Sequence, residues 1–88
     1  MKNMKITESK MRVICAENLQ YLRKSHNGKI SQQALARILN LSPKTIMNYE
    51  SAKSSLSAYA VYRLAGYYGC TMENLLTKNL LKERTEEV

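Results

Sequence analysis

Two cysteines, Cys15 and Cys70, are all that this 88-residue chain has. That excludes a disulfide framework or a four-ligand zinc site and leaves a single bridge as the arithmetical limit. No run of about 18 apolar residues occurs, so no segment reads as a membrane span. Residues Met1 to Lys10 are charged and lack an apolar stretch, which gives no reason to expect a secretory leader. The expected compartment is the cytoplasm, where thiols stay reduced, and both cysteines read as small apolar residues. Phenylalanine and tryptophan are missing, and six tyrosines supply every aromatic ring. No stretch alternates with period two long enough to read as a strand. No phosphate-binding loop, zinc-protease helix or nucleophile-plus-base arrangement is visible, so neither an enzymatic activity nor a cofactor or metal is expected.

Acidic residues are the other scarcity. Fourteen Lys and Arg stand against seven Asp and Glu, a net charge of +7. Three of the acids, Glu83, Glu86 and Glu87, fall in the last six residues, so residues 1–82 hold thirteen bases against four acids, a net +9. Between Asn18 and Met72 the only acid is Glu50, against Arg23, Lys24, Lys29, Arg37, Lys44, Lys53 and Arg63. A small body with that asymmetry attracts polyanions, nucleic acid first and an anionic membrane surface second.

What is present is helical periodicity over nearly the whole chain, enough for one small all-α domain. Thr7 or Ser9 caps a first helix with Met11, Ile14, Cys15, Leu19 and Leu22 at three- to four-residue spacing. It stops in Ser25-His26-Asn27-Gly28, where Gly28 can take positive φ. Ser31 caps a second helix from Gln32 to about Leu39, which Asn40 ends. Ser42-Pro43 is the clearest start signal, a hydroxyl cap followed by proline at the first helical position. The third helix runs from Pro43 to about Glu50 or Ser51 and turns Ile46 and Tyr49 inward. Ser57 caps a fourth through Tyr68, with Val61, Leu64, Ala65 and Tyr68 as its stripe and Gly69 ending it. Thr71 caps a fifth that carries Met72, Leu75, Leu76 and Leu80. The spacing divides the chain into an arm at 1–7, a domain at 8–81 and an acidic tail at 82–88.

Residues 32–51 have the arithmetic of a helix-turn-helix: about eight residues, a short turn, then about eight more. Ala36 supplies the small residue where two helices cross steeply, Asn40 the left-handed turn and Leu41 an apolar plug. The stretch Ile30-Ser-Gln-Gln-Ala-Leu-Ala-Arg-Ile-Leu-Asn-Leu-Ser-Pro-Lys-Thr-Ile-Met-Asn-Tyr-Glu50 closely resembles the Cro/repressor-like helix-turn-helix of the XRE family. Leu64-Ala65 and Tyr68 to Leu76 look like that family's fourth and fifth helices, and Leu22-Arg23 its first, so the resemblance covers about residues 14–80. It implies an all-α, five-helix, lambda-repressor-like DNA-binding domain.

The resemblance also implies roles. Gln32 would meet a DNA phosphate, while Lys44, Asn48 and Met47 would face base edges in the major groove. The chemistry agrees: Lys donates to guanine O6 and N7, Asn pairs with adenine N6 and N7, and Met47 or Pro43 can touch a thymine methyl. Thr45 also points outward there. Ser42, Lys53, Ser54 and the neighbouring Ser55 are phosphate candidates. Arg23 and Glu50 match a pair that in this family bridges the first helix to the end of the recognition helix, with Arg23 also within reach of a phosphate. Three features depart from the family pattern: Ser51-Ala52 where Asn-Gly is frequent, Pro43 where a polar residue often opens the recognition helix, and a longer Lys24–Ile30 link that brings Lys29 toward the backbone.

The leading expectation is a sequence-specific regulator of transcription, a repressor, that binds double-stranded DNA as a homodimer on a palindromic operator. The dimer contact is expected at Leu75 to Leu81, where Leu76, Leu80 and Leu81 exceed the needs of one small core. One alternative is the antitoxin of a toxin–antitoxin pair, which autoregulates through the same helix-turn-helix while its C-terminal segment binds a protein partner, a toxin or antirepressor. Another is an interaction module that no longer binds DNA. His26 reads as a surface turn residue, and Tyr59, Tyr62 and Tyr67 as packing or dimer contacts.

Overall fold

The computed structural model describes residues 6–25 and 29–81. Residues 1–5, 26–28 and 82–88, which include most of the arm expected at 1–7, the expected turn residues His26 to Gly28 and the expected acidic tail, lie outside the described residues. Five helices follow in order: α1 Glu8–Ser25, α2 Gln32–Leu39, α3 Pro43–Glu50, α4 Ala58–Tyr68 and α5 Met72–Thr77. The described residues contain no strand.

Each start is set by a hydroxyl. The side chains of Thr7, Ser31, Ser42, Ser57 and Thr71 accept from the backbone N–H three residues on, at 3.0–3.1 Å. Each satisfies one of the orphan donors of a first helical turn. Of the two hydroxyls that could start α1, Thr7 does so.

Three ends share one device. After α2, α3 and α4 the chain turns through a left-handed residue, Asn40 (φ 59), Ala52 (φ 63) and Gly69 (φ 75). The next amide then reaches back five residues: Leu41 to Ala36 at 2.8 Å, Lys53 to Asn48 at 2.9 Å and Cys70 to Ala65 at 3.0 Å. Asn and Gly tolerate that conformation, whereas alanine carries a Cβ that crowds the following carbonyl. Alanine therefore keeps, at some strain, the turn that Ser51-Ala52 left open in the sequence.

Leu19, Leu35, Leu39, Ile46, Leu64 and Leu75 form the fully buried centre, with Cys15, Ala36, Ala60, Val61, Ala65, Tyr49 and Tyr68 around them. Helix α1 packs on α5 and α3, α2 on α3, and α4 on α5. The α1 stripe differs from its apolar spacing: Ile14 is only half-buried, while Asn18 is buried with Leu19. Its amide nitrogen donates to the carbonyls of Leu75 (2.8 Å) and Lys78 (2.7 Å), and its oxygen accepts from the N–H of Leu80 (3.0 Å). Asn18 thus caps the last turn of α5 from another helix, which is why α5 ends at Thr77 instead of continuing through Leu80. Cys15 and Cys70 are free thiols.

Candidate nucleic-acid interface

The candidate surface is that of α3, a helix fixed at both ends. At its start the Ser42 hydroxyl accepts from the Thr45 N–H (3.1 Å) and shares a 2.8 Å hydrogen bond with the Thr45 hydroxyl. Pro43 occupies the first turn, where its missing N–H costs nothing. Ile46 and Tyr49 turn into the core, so the helical period leaves Pro43, Lys44 and Met47 exposed and Asn48 half-buried on the opposite face. Among the described residues, the Asn48 side chain makes no hydrogen bond. Its paired donor and acceptor are therefore available to a base edge.

The far end of α3 is held by Glu50, only 4% exposed. Arg23 grips its carboxylate with two parallel hydrogen bonds, Nε to Oε2 at 2.7 Å and Nη2 to Oε1 at 2.9 Å. The third guanidinium nitrogen, Nη1, donates to the Ile30 carbonyl at 3.0 Å and so closes the long α1–α2 link. Gln32 donates to Glu50 Oε1 at 2.9 Å, and Gln20 donates to the Glu50 backbone carbonyl at 2.6 Å. The hydrogen bonds that Arg23 gives Glu50 raise its proton affinity above the ordinary arginine value, outweighing the opposing effect of burial. A buried carboxylate needs such complete pairing. The result locks α1, the start of α2 and the end of α3 into one unit.

The structure brings Arg23, Gln32, Met47 and Glu50 around one shallow depression. Pro43, Lys44 and Thr45 stand at the other end of α3, about 10 Å along its axis. Gln32 is half-buried at the depression's edge, and Arg23 is 13% exposed as a side chain. Lys53 is exposed and Ser54 half-buried in the turn after α3. Ser55 is exposed and donates to Glu8 at 3.1 Å. Lys29 is exposed.

Some elements of this site, the tie from Gln32 to Glu50 among them, were not visible in sequence. Gln20 is another, since nothing local in the sequence marks a bond to a carbonyl 30 residues away. The positive φ of Ala52 was likewise hidden, since alanine does not signal it.

The helix-turn-helix family pattern matches residues 19–75, well over half of the chain. The chain belongs to the XRE type of this family, whose members are DNA-binding regulators of transcription. No curated protein and no solved structure gives a match. Among the described residues no three His, Cys, Asp or Glu side chains gather as metal ligands, and no helix is long and apolar enough to cross a membrane.

Proposed function

We propose that the protein is a sequence-specific repressor that binds a palindromic duplex as a homodimer, with Lys44, Met47 and Asn48 of α3 reading bases. Pro43 and Thr45 add apolar and hydroxyl contacts at the helix start, while Gln32, Ser42, Lys53, Ser54 and Arg23 hold the phosphate backbone. The observation that carries this reading is the exposed face of α3, presented by a helix that Ser42 fixes at one end and the Arg23–Glu50 pair at the other. A rigid element is what base discrimination requires, since a reader that shifts by an ångström loses its bidentate geometry. Arg23 and Glu50 are the structural pair of this site.

One α3 spans only a few base pairs, so useful affinity calls for two half-sites about 34 Å apart. In this reading the dimer contact is the exit of α5. Leu75 is committed to the core, Leu76 and Leu80 are half-buried, and Leu81 is 53% exposed. Sedimentation of the protein with a duplex recovered by selection tests the stoichiometry. Two chains per duplex support the dimer; one chain per duplex at saturation removes it. Repression, as opposed to activation, is read from a reporter with that duplex placed over its promoter.

A protein partner, such as a toxin or antirepressor, is favoured by a different surface. Ile38 of α2 and Tyr59, Tyr62 and Tyr67 of α4 are all at least 39% exposed. Arg63 donates to the Tyr59 hydroxyl at 2.6 Å and lies over its ring. Aromatic side chains with an arginine are the composition of protein interfaces. Ile38 lies about 120° around α2 from Gln32, so this face points away from the depression at Glu50.

A further inference from the structure

A cavity of about 360 Å³ opens between the start of α1, the connection from α3 to α4, and helices α4 and α5. Its walls are apolar: Met11, Leu56, Val61 and Leu76, with Cys15 at the base. That volume lies within the roughly 300–1,000 Å³ of small-molecule sites, and a few polar groups at a mostly apolar wall are their usual composition. Arg12, Glu8 and Ser55 stand at the mouth. Glu8 accepts a 3.1 Å hydrogen bond from the Ser55 hydroxyl and makes no ion pair with Arg12. Arg12, one turn further along α1, makes no hydrogen bond or ion pair among the described residues. The mouth therefore offers one uncommitted cation beside an apolar pocket.

We propose that this cavity binds a small carboxylate amphiphile, its acyl chain against Met11, Cys15, Val61 and Leu76 and its carboxylate on Arg12. The guanidinium supplies a planar pair of donors that matches a carboxylate, and the thioether of Met11 adapts to an irregular chain. The site is independent of the DNA surface, since none of its residues belongs to α2 or α3. It does include Leu56 and Ser55, in the connection that leaves the recognition helix.

The test is a titration of the full ¹⁵N-labelled chain with hexanoate, octanoate and decanoate, each kept below its micellar concentration, and with octanol as the uncharged probe. The expected result is saturable amide shifts at Met11, Cys15, Leu56, Val61 and Leu76, with affinity rising up to about fourfold per added methylene until the cavity is full. Arg12→Gln, an exchange on a helix surface, should weaken octanoate about tenfold and leave octanol unchanged. Met11→Trp, which narrows the mouth, should weaken both. Shifts that never saturate, or equal binding of octanoate and octanol by the unmodified chain, would overturn the proposal. So would shifts at these same residues on raising the protein concentration alone, which would make the groove a contact between two copies of the chain.

Discussion

Removing the Arg23 guanidinium strands the Glu50 carboxylate in a site that is 4% exposed, with only the Gln32 amide left to pair it. Breaking one side of a buried pair costs about 3–5 kcal/mol, much more than a surface ion pair contributes. Arg23→Ala should therefore lower stability in urea by that amount. Arg23→Met combined with Glu50→Leu should recover most of it, because no charge is left unpaired. A loss below 1 kcal/mol for the single variant would show that the pair does not hold α3. Cys15 gives a prediction in pH. Burial, helped by the charge of Cys70, pushes its thiol up to about 12 from an ordinary 9.0. The folded state then keeps a proton that the unfolded chain gives up, so stability is full below pH 9 and falls as pH rises from there toward 12. Cys15→Ala should make the urea midpoint less steep between pH 9 and 10, whatever it costs at neutral pH.

At the scale of the element, the hydroxyl caps explain why so much of the fold was legible in sequence. Ser31, Ser42, Ser57 and Thr71 each precede a periodic apolar run, and the helix starts fall one residue after them. Asn40 and Gly69 advertise two of the left-handed ends by residue type. Asn18 and Ala52 do not, for different physical reasons. The partners of Asn18 lie about 60 residues on, and the conformation of Ala52 is imposed by the bond that Lys53 makes to Asn48. Since alanine gains nothing from that conformation, Ala52→Gly should raise stability by about 1 kcal/mol in thermal or denaturant melts. No gain would mean that the turn is relaxed when alanine occupies it. For the candidate site, sequence showed the outward face of α3 and the Arg23–Glu50 pair, but neither Gln20 nor the tie from Gln32 to Glu50, which need tertiary placement. On this surface, Lys44→Ala and Asn48→Ala should each reduce discrimination between a selected and a scrambled duplex by about 1–3 kcal/mol, whereas Lys53→Ala should weaken both duplexes alike. Equal effects from all three in anisotropy titrations would remove the base-reading assignment.

For the whole molecule, the net charge of +7 sets a background affinity for any duplex, and that background falls steeply as salt rises. In the proposed function, specificity comes from the few side chains on α3 and from the symmetry of a dimer, because two half-sites together discriminate what one helix cannot. Electrostatics and readout therefore separate in one experiment, selection of duplexes from a random library followed by salt titration of the winner and of its scramble. The account predicts a palindromic consensus with half-sites about one helical turn apart, and an advantage over the scramble that persists as salt rises. Recovery of no consensus, with equal and steeply salt-dependent binding to both duplexes, would contradict it.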